Sequence, residues 1–354
     1  MSQNETSVAK IQFDVYKCVR TDYLYAECSK CVDICMEEVF YFRNDKMLLK
    51  KENCTGCAAC IGGCPSEALG IESFDNNQFI LQFAASKETL ISCKHNTPCL
   101  AVFDQHHFVT AVMQKNASIE CDLSQCATCE FKNAEAIGSI IEGRIDESNR
   151  LLEELGFEHR IAKAPKTEVS ERRGFFKKLS QLAINQTVLE KPKVSGVNPT
   201  VTPVPIKKTL LKNRIKEWLD TAEKEVVENG YSFIVNKQID ADRCSNCGDC
   251  ASFCPTKAFS MDTTKERVFF QLGKCVACGI CNQICPEKCL EDKTEFSLIN
   301  YAFDRAEMMV EHHLKVCPTC KLAFPAKHSD EECPHCVKLH TEFADMFKPA
   351  SEME

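Results

Sequence analysis

Twenty-six of the 354 residues are cysteine, and they fall into four blocks. The first holds Cys18, Cys28, Cys31, Cys35, Cys54, Cys57, Cys60 and Cys64. The second holds Cys93, Cys99, Cys121, Cys126 and Cys129. After a long cysteine-free stretch come Cys244, Cys247, Cys250, Cys254, Cys275, Cys278, Cys281, Cys285 and Cys289, then Cys317, Cys320, Cys333 and Cys336. Cysteines serving only as small core hydrophobes would scatter. A thiolate is also a soft metal ligand, and close spacing is what metal ligation needs. The polar N-terminal stretch MSQNETSVAK lacks the apolar core of a secretory signal. A reducing cytoplasmic location is therefore expected, where disulfides do not persist and metal ligation becomes the leading use for so many thiols.

Blocks one and three contain an internal repeat. Cys54-TG-Cys57-AA-Cys60-IGG-Cys64-Pro65 has the spacing of Cys244-SN-Cys247-GD-Cys250-ASF-Cys254-Pro255 and of Cys275-VA-Cys278-GI-Cys281-NQI-Cys285-Pro286. All three resemble the C-x2-C-x2-C-x3-C-P run of bacterial two-cluster iron–sulfur ferredoxins. Three closely spaced cysteines can wrap one side of a [4Fe–4S] cube, with loop N–H groups facing its sulfurs. The fourth lies past the turn and ligates the neighbouring cube. The following proline fixes φ and turns the chain away.

The resemblance implies ligand sets. Over residues 233–300 it gives Cys244, Cys247, Cys250 and Cys285 to one cluster, and Cys275, Cys278, Cys281 and Cys254 to another. In block one the second run is complete, but Tyr25 stands where the first run would begin and Met36 replaces its proline. The layout C-x9-C-x2-C-x3-C is similar to a variant half-motif of multi-cluster electron-transfer proteins. It implies Cys18, Cys28, Cys31 and Cys64 on one cluster, with Cys54, Cys57, Cys60 and Cys35 on the other. A three-cysteine [3Fe–4S] site with Cys18 spare is the rival. Cys289 lies outside the motif and reads as a buried or bystander thiol.

Residues 78–160 read as β-α-β-α: short apolar runs at Phe79–Phe83 and Thr89–Ser92, a helix-like Cys99–Lys115, a short strand at Ala117–Glu120, and an amphipathic helix over Asn133–Leu155. If the strands near 90 and 118 are parallel, both following loops leave one sheet edge, where α/β folds place their sites. Cys93, Cys99, Cys126 and Cys129 would then form a fifth metal site, for an iron–sulfur cluster or zinc. The rival readings are a spacer with reduced thiols and a redox pair at Cys126 and Cys129. His95, His106 and His107 read as surface or cap residues.

Cys317-PT-Cys320 and Cys333-PH-Cys336 form two C-P-x-C knuckles and resemble a short zinc ribbon. Structural zinc is expected there, with rubredoxin-like iron the rival and His335 a bystander. Tyr301–Leu314 reads as a connecting helix. Residues 161–216 hold 13 basic and 3 acidic residues, against a formal net charge of −8 for the whole chain. With four prolines across Lys191–Pro205, this segment reads as a linker. It would act either as a tether or as a docking segment for an acidic partner or a membrane surface. Glu171–Lys178 resembles a twin-arginine signal, but no apolar stretch of adequate length follows it, so export by that route is rejected.

Positioning these thiols calls for an α+β chain of five parts. They are an N-terminal two-cluster ferredoxin-like βαββαβ module (1–77), a cysteine-rich α/β insert (78–160), the basic linker (161–216), a second two-cluster module (217–300), and a helix with a zinc-ribbon-like tail (301–354). The acidic balance argues against nucleic-acid binding. No GxGxxG or GxxxxGK[ST] loop and no Ser/His/Asp set is visible, so no substrate site of its own is expected. The expected function is a polyferredoxin with four [4Fe–4S] clusters, carrying single electrons between redox partner proteins. The resemblance points to formate dehydrogenase, hydrogenase or nitrate reductase systems. The alternative is a maturation or scaffold factor that delivers clusters or metal to an oxidoreductase.

Overall fold

A computed structural model describes residues 11–21, 26–44, 46–72, 74–131, 134–164, 202–221, 225–228, 230–326 and 331–342. Tyr25, the Glu171–Lys178 segment and most of Lys191–Pro205 lie outside these residues.

The two repeat-bearing stretches share one pattern of elements. In the first, the strand Ile11–Phe13 pairs antiparallel with Leu69–Ile71, and Phe40–Arg43 pairs antiparallel with Lys46–Leu49. The one-turn helices Lys30–Ile34 and Ala59–Gly63 lie between them in the chain. In the second, Asn236–Ile239 pairs with Leu290–Lys293 and Phe259–Met261 with Arg267–Phe270. Asp249–Ser252 and Ile280–Ile284 are its helices. Each stretch thus runs strand, helix, strand, strand, helix, strand, with outer strands paired and inner strands paired. A further strand, Glu307–Glu311, extends the second along Arg267–Phe270.

The cysteine spacing explains the short helices. The third cysteine of each run sits on the single turn, and in three runs the fourth is the residue that ends it. Cys35, Cys64 and Cys285 are extended there, with ψ of 112°, 117° and 113°. Proline after Cys64 and Cys285 disfavours a helical conformation at those cysteines. A cysteine four residues on would share a helix face with the third. The extended backbone sends it elsewhere.

Between the modules in sequence lies a parallel three-stranded sheet in the order Leu90–Ser92, Ile119–Asp122, Ile161–Lys163. The helices Gln105–Lys115 and Ala134–Glu154 follow its first two strands. Two elements differ from the sequence reading. Phe79–Phe83 lies inside the helix Asn76–Ala85, whose first turn is capped by Asp75 accepting from the Gln78 N–H at 2.9 Å. Phe79, Ile80 and Phe83 are the buried stripe of that helix. The third strand, Ile161–Lys163, buries only Ile161 and carries too little pattern to be read in advance.

The basic linker assignment also needs correction at its C-terminal end. Ile206–Leu219 is a helix with Leu211 and Ile215 fully buried. Three of its four lysines are not solvated: Lys207, Lys208 and Lys212 are buried. Lys207 Nζ pairs with Asp104 at 2.8 Å and donates to the Cys64 carbonyl at 2.7 Å, and Lys212 pairs with Asp304 at 2.5 Å. This helix therefore ties the first module and the central sheet to the second module. One continuous apolar core runs through all three.

After the second module, helix covers only Leu298–Phe303 and the chain then turns to strand at Glu307–Glu311 and Leu314–Val316, so the helix expected over Tyr301–Leu314 is mostly absent. Leu314–Val316 pairs with Ala323–Pro325, and the helix Pro334–Glu342 packs on that hairpin through a core of Cys317, Phe324, Cys333 and Cys336.

Candidate metal centres

The structure gathers the cysteines into quartets. Cys18, Cys28, Cys31 and Cys64 line one cavity, with Met47 and Leu69 on its wall. Cys35, Cys54, Cys57 and Cys60 line a second, beside Phe40 and Phe131. Cys244, Cys247, Cys250 and Cys285 line a third. Cys254, Cys275 and Cys281 stand near enough to Cys278 for their charges to act on its thiol. In every quartet the fourth cysteine of one run stands with three from the other half of its module. Cys289 is not remote from this arrangement. It lines the third cavity, with its Sγ 3.5 Å from that of Cys285.

Backbone amides are aimed at the sulfurs. The Ala68 N–H donates to Cys64 Sγ at 3.2 Å, and the Ala258 N–H donates to Cys254 Sγ at 3.1 Å. In the three complete runs the residue after the second cysteine is left-handed: Ala58 at φ 62°, Gly248 and Gly279 at 79°. That kink presents the next N–H, from Ala59, Asp249 or Ile280, to the second cysteine; burial raises the pKa of that thiol, and the N–H partly offsets the rise. Glycine takes this conformation freely, whereas Ala58 is held in it against a cost.

Burial works in the other direction. It pushes the Cys31, Cys250 and Cys281 thiols up to about 12, and neighbouring thiolates add to the rise for each. Such thiols stay protonated unless a cation takes the proton's place, which is the linkage expected at a metal-binding site. Buried cations stand by. Lys237 faces Cys281 and Cys275, and Lys208 faces Cys275 while lying over the Tyr301 ring at 4.6 Å. Arg144 lies near Cys99 and Cys60 and donates to the carbonyls of Ala101 and Phe103 at 2.7 and 2.8 Å. Four-thiolate cavities with inward N–H groups and nearby cations fit a [4Fe–4S] cube, whose ligated form carries net negative charge.

The tail is built differently. Among the described residues only Cys317, Cys320, Cys333 and Cys336 bring their ligand atoms within 4.8 Å of one another. That is the compact arrangement a single tetrahedral ion needs. The N–H groups of Cys333, Cys320 and Thr319 lower the Cys317 thiol to about 6. His335 is exposed on the Pro334–Glu342 helix.

The central cysteines come from the two loops after the parallel strands. Cys93, Cys99, Cys126 and Cys129 line one cavity, whereas Cys121 is fully buried in the strand Ile119–Asp122. The histidines are not at the surface in every case. His95 is half-buried, while His106 and His107 are buried with Nδ1 atoms 3.1 and 2.7 Å from Asp104. His107 completes the capping box that starts Gln105–Lys115. The cluster of Asp104, His106, Arg144 and Lys207 had no readable signal. Its members are far apart in sequence, and each alone is an ordinary polar residue.

These features define an iron–sulfur protein of the cubane kind. The family described as "4Fe-4S dicluster domain" matches residues 236–293. A ferredoxin of Methanothermococcus thermolithotrophicus is 40% identical over 47 residues, 13% of this chain and 78% of that protein. An uncharacterized ferredoxin of Methanocaldococcus jannaschii is 40% identical over 48 residues, 13% of this chain and 77% of that protein. The chain belongs to the 4Fe-4S ferredoxin family, whose chemistry is electron transfer. Among the described residues no helix is long and apolar enough to cross a membrane.

Proposed function

We propose that the protein is a multi-cluster electron relay. Its four ferredoxin-type quartets would hold four [4Fe–4S] clusters, and Cys317, Cys320, Cys333 and Cys336 would hold a structural zinc ion. Each cluster supplies one-electron chemistry. The chain's own part is to ligate through thiolates, lower the cost of negative charge with N–H groups and buried lysines, and exclude water.

One contact supports a single relay over two independent ferredoxins. Cys28 of the first module and Cys278 of the second pack on the same apolar trio, Val19, Ala26 and Ile280. Within the first module Cys60 and Cys31, from different quartets, are close enough for their charges to interact. Cys250 and Cys281 do the same in the second. The quartets therefore form a row. Its partners would be redox enzymes of the formate dehydrogenase, hydrogenase or nitrate reductase kind.

Anaerobic purification with metal and sulfide analysis tests the reading. At least ~16 irons with matching sulfide are expected per chain, four for each cube, with ~1 zinc. Reductive titration should give the EPR signals of interacting cubanes. A colourless product after reconstitution would reject the relay. Full support of a partner enzyme by a chain whose clusters are redox-silent would make it a scaffold.

A further inference from the structure

The central quartet extends this row. Cys93 and Cys99 follow the strand Leu90–Ser92, and Cys126 and Cys129 follow Ile119–Asp122. Because those strands are parallel, both loops leave the same sheet edge. The four thiols line one cavity with Leu100 and Phe131. Gly138 on the Ala134–Glu154 helix permits the approach, since a Cβ there would stand 3.2 Å from the Cys126 Cβ.

Two observations separate this site from a zinc site. Among the described residues the tail cysteines lie within 4.8 Å of one another, whereas those of the central quartet, like those of the four ferredoxin-type quartets, do not close up in this way. A single ion would draw its thiolates together, whereas a four-iron core holds them apart. The site also abuts the row. Phe131 and Ile137 line both this cavity and that of Cys35, Cys54, Cys57 and Cys60. Cys99 is near enough to Cys57 to interact with it electrostatically.

Exposure marks the ends. Of the 26 cysteines only Cys129 and Cys247 are exposed. Cys129 belongs to the central quartet, and Cys247 to the quartet at the far side of the second module.

We propose that Cys93, Cys99, Cys126 and Cys129 hold a fifth [4Fe–4S] cluster, and that it is one solvent-facing end of a line of five whose other end is the Cys247 cluster. This rests on the relay reading above. Each transfer along the line moves one electron between adjacent clusters. The giving cluster is oxidised by one electron, the receiving one is reduced by one, and no bond forms or breaks. The external donor and acceptor are protein-bound one-electron centres that dock at the two ends.

Anaerobic iron, sulfide and zinc analysis of the full chain should give ~20 irons and ~1 zinc. The double variant Cys126→Ser/Cys129→Ser should lose ~4 irons and keep its zinc. Cys93→Ser, on the other loop, should show the same loss. In both variants the EPR signals of the other clusters should remain, with the magnetic interaction at the Cys57 cluster reduced. A wild-type chain with ~16 irons and ~2 zincs would put zinc in the centre and overturn the fifth cluster. A chain with ~16 irons and ~1 zinc, unaffected by these substitutions, would overturn it too. Either result leaves the four-cluster relay standing, whereas iron far below ~16 defeats that reading instead.

Discussion

The backbone N–H of Glu27 donates to Gln283 Oε1 at 3.2 Å, joining the loop before Cys28 to the helix that carries Cys281. Ile280, on that same helix, fills the apolar contact between the modules and is 1% exposed. The two ferredoxin-type modules thus meet at cysteine-bearing loops.

Ile280→Ala tests that contact. Removing a buried isoleucine side chain here should cost about 2–4 kcal/mol, from lost transfer energy and the cavity left behind. Thermal unfolding of the anaerobic protein reads the loss of stability. The EPR interaction between clusters of different modules should weaken while the iron content holds.

Arg144 and Gly62 make a second test, this one of the seam between the first module and the central sheet. A Cβ on Gly62 would collide with the Arg144 guanidinium and the Ala101 carbonyl, and would lie 2.8 Å from the Phe103 carbonyl. Two of these groups are backbone and the third is hydrogen-bonded to them, so Gly62→Ala should destabilise by roughly 1–3 kcal/mol. Arg144→Met would leave the carbonyls of Ala101 and Phe103 without their buried donor. A loss of about 3 kcal/mol or more is expected, read as a lower unfolding temperature.

Stability should fall with acid through His106. Burial lowers its pKa to about 4 from an ordinary 6.5, the nearby Lys207 and Lys208 add to this, and Asp104 opposes it. The unfolded chain then takes up a proton between pH 6.5 and 4 that the folded chain refuses. Folding is favoured fully above that window and loses ground as pH falls through it, by on the order of 3 kcal/mol. Comparing wild type with His106→Gln isolates this contribution. The wild type should lose more stability than the variant between pH 6.5 and 4, and parallel curves would refute the assignment.

Metal removal should act locally at the tail. Cys333→Ser should release ~1 zinc and loosen the Leu314–Val316 hairpin, because its small core is made largely of the ligands themselves. The iron content should not change. A loss of iron in place of zinc would show that the knuckle holds iron.

Much of the site was legible because cysteine spacing is local. A run such as Cys54 to Cys64 states its own loop, its one-turn helix and its change of direction. The helix Asn76–Ala85 is hard to read from its sequence because Phe79, Ile80, Leu81 and Phe83, broken only by Gln82, fit either period, and the Asp75 cap that decides between them lies outside the run. Residues 206–216 read as part of the linker because their lysines suggest solvent. Only the fold brings Asp104 and Asp304 to them, from elements far away in sequence. The motif ends at Cys285 and gives no role to Cys289, yet the next turn carries this buried thiol back to the cavity wall.

The exposure of Cys129 and Cys247 sets an order for oxidative damage. Dissolved oxygen would reach the termini of the row before its covered interior. In the proposed relay, a chain injured in air would first lose its two solvent-facing ends while the covered sites between them stayed intact. Repair would then mean rebuilding two terminal sites on a body that is still folded.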